Sequence, residues 1–154
     1  GIGARHCLSA VLSVILISPL GSTVTADGAY EMNGGRFSPC PETPNCVSSR
    51  HPGTDHYIEP LRYHGDMAAA KAVLLGVLNE LERVQIVENA DGYIRAVFRS
   101  MLFRFADDVE LQFDDVEKSI HIKSASRVGY SDLGVNRRRC ESIRYKFNGS
   151  LGRH

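Results

Sequence analysis

The side chains best suited to chemistry are concentrated between residues 124 and 137, where a predicted strand leads into a predicted helix. Serine hydroxyls in this stretch, the guanidinium groups of Arg127 and Arg137, and the free amides at a helix start are all donors that bind small anions. Asp132 works against this interpretation because it would repel an anion and could itself cap the helix. The stretch therefore predicts either an anion-binding corner or a purely structural polar network.

Familiar catalytic patterns do not occur in the sequence. It contains no Ser-x-x-Lys, Gly-x-Ser-x-Gly, His-Glu-x-x-His or phosphate-loop motif. Asp107 and Asp108 are adjacent, so on a strand they point to opposite faces and cannot act as a carboxylate pair. Either of them could instead pair with Arg127. A hydrolase made from Ser126, His121 and an aspartate has no spacing that selects it, so we predict no catalytic residue.

Two of the four cysteines, Cys40 and Cys46, lie in a short segment with three prolines. Proline excludes regular helix or sheet from such a segment, and two cysteines in an irregular loop predict a local disulfide. Free thiols and a metal site with His51 and His56 are the alternatives. Five residues lie between the cysteines, more than the roughly two to four usual for zinc, and we predict neither a metal nor a cofactor.

Two amphipathic helices are predicted from apolar side chains that recur every three or four residues. The first begins after Asp66 as its N-cap and ends near Arg83. The second spans residues 133–147, with Asp132 or Ser131 as its cap and Asn-Gly directly after its end. Its inner stripe consists of Leu133, Asn136, Cys140, Ile143 and Phe147. On this stripe we expect Cys140 to be a buried apolar residue and not a nucleophile.

Between these helices, four segments alternate apolar and polar residues, as strands with one buried face do. They lie near residues 84–88, 93–99, 108–113 and 120–123, with short turns between them. We therefore predict an α+β fold, a two-layer sandwich in which a four- or five-stranded antiparallel meander carries two helices on one face. The other face would carry cross-strand ion pairs or a recognition surface, formed by Arg95, Arg99, Asp108, Glu110, His121 and Lys123.

The connection between the second and third of these strands is unusually apolar. Met101, Leu102, Phe103 and Phe105 surround Arg104. We expect these apolar side chains to pack in the core as extensions of the two strands. As a protruding loop they would instead mark a contact with protein or lipid.

Residues 1–26 have the features of an export signal: Arg5 and His6, an uncharged apolar run over residues 7–20, and small residues after it. The run is shorter than the about 20 residues that span a bilayer, so cleavage is predicted, with a short membrane anchor as the alternative. A proline- and glycine-rich segment over residues 27–56, the α+β domain over residues 57–148 and a tail over residues 149–154 follow. The zero net charge gives no reason to expect nucleic acid.

Three motifs occur in a fixed order along the chain: PCPETPNCVSS at residues 39–49, FRSMLFRFADDVE at 98–110 and SASRVGYSDLGVNR at 124–137. In these motifs the chain resembles, over about residues 38–148, the uncharacterised family called domain of unknown function 1499. Its members occur in bacteria and photosynthetic eukaryotes, often behind export signals. The resemblance implies no particular reaction, cofactor or substrate, and Cys140 departs from the aliphatic residue expected there. The family's hallmark positions fall on Cys46, Ser48, Ser49, Arg99, Ser100, Arg104, Asp107, Asp108, Ser124, Ser126, Arg127, Tyr130, Asp132, Asn136 and Arg137.

The hallmark positions from Arg99 onward form the predicted ligand- or partner-binding site. We expect a non-catalytic binding or accessory module in an exported compartment, with a protein or a membrane complex as partner and a small anion as a further ligand. The compartment would be the thylakoid lumen, with a photosynthetic membrane complex as partner, or the bacterial periplasm. Contact with the membrane is expected only through an uncleaved N-terminal segment. The alternative is an enzyme that acts on a small anionic substrate at Arg127 and Arg137.

Overall fold

A computed structural model describes residues 37–101 and 104–152. Residues 1–26, predicted to be an export signal or anchor, lie outside the described residues. In the part of the chain that the structure describes, no helix has the length and apolar character needed to cross a membrane. The strands are β1 (Cys46–Ser48), β2 (Leu61–Arg62), β3 (Val84–Ala90), β4 (Tyr93–Arg99), β5 (Ala106–Asp114) and β6 (Ser119–Ser126), and the helices are α1 (Met67–Glu80) and α2 (Val135–Leu151).

The predicted meander is confirmed, because β3, β4, β5 and β6 pair antiparallel with their neighbours in chain order. The structure adds β1 and β2, which both pair with the outer edge of β6 to give six strands. β1 lies in the segment for which no regular structure was expected. It begins at Cys46, after the last proline of that segment, so its backbone amides are free to pair with β6.

Both helices cover one face of the sheet, so the predicted two-layer α+β architecture is confirmed. Leu74 and Leu78 of α1, and Ile143 and Phe147 of α2, are fully buried in one core cluster. Alternate residues of the three long central strands meet them, which is why each strand has one buried and one open face. These strand residues are Ile94, Ala96, Phe98, Val109, Leu111, Phe113, Ile120 and Ile122.

The start of α1 is as predicted, since an Asp66 carboxylate oxygen accepts a hydrogen bond from the Ala69 amide at 2.9 Å. The helix ends at Glu80, earlier than the predicted end near Arg83. Leu81 has extended backbone angles, φ −82° and ψ 141°, because the chain must turn there to enter β3.

Helix α2 differs from the prediction at both ends. Leu133 is 84% exposed and has φ 53°, so it precedes the helix and does not belong to the inner stripe. The other four predicted members, Asn136, Cys140, Ile143 and Phe147, are buried. The helix also continues through Asn148 and Gly149, because Leu151 packs against the core and this contact outweighs the cost of a glycine.

The apolar connection between β4 and β5 is a protruding turn, and the expectation that it packs in the core is wrong for the residues described. Met101 is 79% exposed and Phe105 52% exposed, while Leu102 and Phe103 lie outside the described residues. The Ser100 amide donates to the Phe105 carbonyl, and Ser100 Oγ accepts from the Phe105 amide, both at 2.9 Å.

Candidate functional site

Asn136 is the centre of a buried polar cluster between the first turn of α2 and the end of β6. Its side-chain nitrogen donates to the Asn45 carbonyl and to Ser126 Oγ, both at 3.0 Å, and its side-chain oxygen accepts from Ser124 Oγ at 2.5 Å. Asn136 and Ser124 have no solvent exposure. The amide thus uses both donors and its acceptor on protein groups. We call Asn45, Ser124, Ser126 and Asn136, together with Asp107 and Arg139, the Asn136 cluster.

Asp107 and Arg139 complete the Asn136 cluster. Arg139 Nη2 donates to Asp107 Oδ2, and Arg139 Nη1 donates to Ser124 Oγ at 3.1 Å and to Asn136 Oδ1 at 2.5 Å. The Arg139 and Asp107 side chains are only 11% and 9% exposed. The guanidinium carbon also lies 4.9 Å from the centre of the Phe98 ring, in cation–π contact. A buried ion pair needs this many partners to offset its loss of hydration.

The Asp132 carboxylate accepts hydrogen bonds from backbone amides at the start of α2. Its two carboxylate oxygens accept from the Gly134 amide at 2.9 Å and from the Asn136 amide at 2.7 Å. An anion at this position would have to displace Asp132 and overcome its charge. The geometry therefore favours the structural interpretation of this corner over the anion-binding one.

On the open face of the sheet, the predicted cross-strand ion pairs are formed. Arg127 donates from Nε and Nη2 to the two oxygens of Asp108 at 2.7 and 2.8 Å, and these hydrogen bonds hold the pKa of Asp108 below its usual value. Lys123 Nζ lies 3.4 Å from a Glu110 oxygen, and an Arg95 nitrogen lies 3.9 Å from Asp108. Arg127 therefore pairs with Asp108 and not with Asp107, the other partner that the sequence allowed.

The arginines predicted to converge on one corner lie apart. Arg127 is on the open face, whereas Arg137 is on α2 and donates to the carbonyls of Tyr57 and Asp55 at 2.8 and 2.7 Å. Arg99 ends β4 and is exposed. Arg137 follows Asn136 directly, and one residue turns a helix by about 100°, which directs the two side chains to different sides. Arg127 and Arg137 therefore form no common site for an anionic substrate.

The hydrolase site that Ser126 and His121 could have formed is not assembled. Ser126 Oγ accepts a hydrogen bond from the Asn136 side chain. His121 Nδ1 lies instead 3.1 Å from Ser49 Oγ. Ser49 is 6% exposed, and its oxygen also accepts from the Ile122 amide at 3.0 Å. A serine so anchored and covered has no access to a substrate, so this contact holds β1 against β6. Burial lowers the pKa of His121.

Cys40 and Cys46 form the predicted disulfide, which removes both thiolates from any metal site with His51 and His56. Among residues 37–101 and 104–152, no group of three or more His, Cys, Asp or Glu side chains is placed to hold a metal ion. A disulfide indicates a non-reducing compartment. Cys140 is buried with a free thiol, and burial raises its pKa to about 12, which makes it inert as a nucleophile.

Three connections meet at one end of the sheet: α1 to β3, β4 to β5, and β6 to α2. The Arg99 amide donates to the Arg83 carbonyl at 3.0 Å, and the Arg127 amide donates to the Ala106 carbonyl at 3.1 Å. We call this surface the arginine end. Its basic residues are Arg83, Arg99, Arg104, Arg127 and Arg138.

An open groove of about 320 Å³ crosses the arginine end. Arg83, Arg99 and Arg104 line it, together with Ser100 and Met101. Among the described residues, no carboxylate lies within 4.0 Å of the side chains of Arg99 or Arg104. The groove therefore combines positive charge with an apolar rim.

The predicted site is thus divided between separate places. The Asn136 cluster contains Asp107, Ser124, Ser126 and Asn136, with Asp132 beside it. Asp108 pairs with Arg127, Arg137 holds the segment before β2, and the arginine end carries Arg99, Ser100, Arg104 and Tyr130.

Sequence reasoning missed two members of the Asn136 cluster, Asn45 and Arg139. Arg139 follows Asn136 by three residues, so helical spacing places it on the same side of α2. That signal was present, but we make no prediction for Arg139 from the sequence. Asn45 carried no comparable signal, because its partners are 84 and 91 residues away in the chain.

A search of curated proteins found no match to the chain. The family model described as "Protein of unknown function (DUF1499)" matches residues 36–147, which include the disulfide, all six strands, the Asn136 cluster and the arginine end. The chain therefore belongs to the DUF1499 family, as its three motifs indicated.

Proposed function

We propose that the protein is a non-catalytic accessory module that binds its partner through the arginine end. The observation that carries the proposal is the contrast at this surface. Met101 and Phe105 are exposed beside Arg99 and Arg104, while the motif residues of the Asn136 cluster are engaged with each other. Exposed apolar side chains next to unpaired charge are typical of binding surfaces.

The burial or engagement of three groups that could have been reactive supports a binding role. Ser49 is buried, the Cys140 thiol has a raised pKa, and Asp107 is held by Arg139. A catalytic site needs a nucleophile or base that a substrate can reach. Each of these groups is covered or occupied.

The disulfide and the predicted export signal support a location outside the reducing cytosol. In a photosynthetic eukaryote we propose the thylakoid lumen, with the protein as a lumenal subunit of a photosynthetic membrane complex. In a bacterium we propose the periplasm. In both compartments the partner would be associated with a membrane.

The test is association in the source cells, measured by native gel electrophoresis of gently solubilised membranes. We expect the wild-type chain to migrate with a membrane assembly, and the Phe105→Ser and Arg104→Gln variants to migrate mainly as free monomer. Tyr145→Ser is the matched control, because Tyr145 is an aromatic residue that is 82% exposed on the outer side of α2. Unchanged migration of the Phe105 and Arg104 variants, or a wild-type chain that is always monomeric, would contradict the proposal.

A further inference from the structure

We infer that the surface bound by the arginine end is an anionic lipid bilayer, which it contacts peripherally and without insertion of a helix. This inference rests on the proposed function and names the partner's chemistry. It assigns a membrane contact to the folded domain, whereas the sequence indicated one only for the N-terminal segment.

The first argument is the distribution of exposed apolar side chains. Of the nine large hydrophobic residues that are exposed in the described part of the chain, three lie elsewhere, namely Val87, Val116 and Tyr145. Six lie at the arginine end or on the chain that leads from it into α2. They are Met101, Phe105, Val128, Tyr130, Leu133 and Val135.

The second argument is their arrangement. Met101 and Phe105 project from the β4–β5 turn, while Val128 and Tyr130 lie on the connection from β6 to α2. They lie on two separate connections that meet at this end of the sheet, next to the groove that Met101 helps to line. A folded protein partner needs a complementary surface, whereas the interfacial layer of a bilayer accepts separate apolar and aromatic side chains at one depth.

The third argument is the local charge, which is positive although the chain as a whole is neutral. Four carboxylates at this end are engaged: Glu82 with Arg83, Asp107 with Arg139, Asp108 with Arg127, and Asp132 with the α2 amides. Arg99, Arg104 and Arg138 have no carboxylate within 4.0 Å among the described residues. The groove between Arg83, Arg99 and Arg104 is open to a phosphate group, which guanidinium binds through paired hydrogen bonds.

The opposite end of the sheet lacks this excess of positive charge. Its β3–β4 and β5–β6 turns carry four carboxylates against three nearby cations, because Lys71, Arg62 and Lys118 bond to Ala90, Glu117 and Asp115. The carboxylates are Asp91, Asp114, Asp115 and Glu117. An anionic surface would therefore attract the arginine end more strongly than this one. The charge distribution therefore orients the domain as well as attracting it.

The experiment is co-sedimentation of the full chain with phosphatidylcholine vesicles that either contain or lack phosphatidylglycerol. We expect binding only to the anionic vesicles, weakened by added salt because screening shortens the range of the attraction. Arg99→Gln should reduce partitioning about fivefold, and Phe105→Ser about tenfold. Arg99→Lys should bind better than Arg99→Gln but less well than the wild type, since it keeps the charge and loses the paired hydrogen bonds. Because every variant carries the same N-terminal residues, the differences between variants report on the arginine end.

Two control variants match these changes elsewhere on the surface. Tyr145→Ser removes an exposed aromatic ring and Arg62→Gln an exposed arginine, both away from the arginine end, and neither should change vesicle binding. Equal binding to neutral and anionic vesicles, or equal binding of all variants, would overturn the inference. If vesicle binding fails but the native-gel association still depends on Phe105 and Arg104, the arginine end binds a protein: the lipid inference falls and the proposed function stands. If neither assay depends on these residues, both fall.

Discussion

The Asn136 cluster and the arginine end lie at the same end of the sheet and use similar residue types in opposite ways. In the cluster, the Arg139 side chain is 11% exposed and bonds to Asp107, Ser124 and Asn136. At the arginine end, Arg104 is exposed, and no carboxylate among the described residues pairs with it. An arginine within the residues that the family model matches therefore gives no functional information until its burial and its partners are known.

The comparison also separates stability from recognition. Loss of one member of a buried charged network leaves the others without partners in a medium of low polarity, which is costly. Loss of an exposed side chain costs the fold little. Substitutions in the cluster should thus change the free energy of unfolding, and substitutions at the arginine end should change only binding.

The largest effect is expected for Arg139→Ala, which leaves the buried Asp107 carboxylate unpaired. We expect the free energy of unfolding to fall by about 3 to 5 kcal/mol, measured by urea denaturation. Arg127→Ala is the matched control, because Arg127 is a partly exposed arginine that also pairs with an aspartate; it should cost less than about 1 kcal/mol. Equal losses in the two variants would remove the distinction between the regions.

The next effect is that of Asn136→Ala, which leaves Ser124, Ser126 and the Asn45 carbonyl without their central partner. We expect a loss of about 2 to 3 kcal/mol in the same measurement. Asn148→Ala, at an exposed site on the same helix, controls for the change in helix propensity and should lie within about 0.5 kcal/mol of wild type. An Asn136→Ala variant as stable as the wild type would mean that the cluster is not a stabilising network.

Removal of the disulfide by Cys40→Ser should lower the free energy of unfolding by about 2 kcal/mol, because the bond closes only a short loop. The bond holds Ser38 near β6, where its Oγ accepts from Lys123 Nζ at 2.8 Å. Added reductant should bring the wild-type protein to the stability of the variant and leave the variant unchanged. A wild type that does not respond to reductant after full reduction would contradict this estimate.

A smaller, pH-dependent effect is expected from His121. Burial, with the positive charge of Arg50, lowers the pKa of His121 below its value of 6.5 in an unfolded chain. Between these two pKa values the unfolded state binds more protons, so stability is fully present above about pH 6.5 and decreases as the pH falls through this window. His121→Gln should flatten the decrease in thermal melting curves. The exposed His64→Gln should leave it unchanged, and the same slope in both variants would show that another group is responsible.

The smallest effect on stability is expected at the arginine end. The double substitution Met101→Ser and Phe105→Ser should change the free energy of unfolding by no more than about 0.5 kcal/mol, because both side chains are already exposed. The same variant should show the greatest loss of partner binding. A marked loss of stability would place the two side chains in the core, as the sequence pattern first indicated.

The sequence by itself determined the layers of this protein. Apolar residues at alternate positions of β4, β5 and β6 predicted a sheet with one face in the core. The apolar stripes of α1 and α2 predicted that the helices cover this face. Asp66 fixed the start of α1, and two cysteines in a proline-rich loop predicted the disulfide. These are local signals, since each depends on residues only a few positions apart.

Only the tertiary structure decided which polar residues are buried and which are available. Asn45 meets Asn136 from 91 residues away, and no local pattern records that contact. Met101 and Phe105 of the β4–β5 turn were predicted to lie in the core because they are apolar, yet both are exposed. Burial depends on what the rest of the chain places above a residue, and that is a property of the assembled layers.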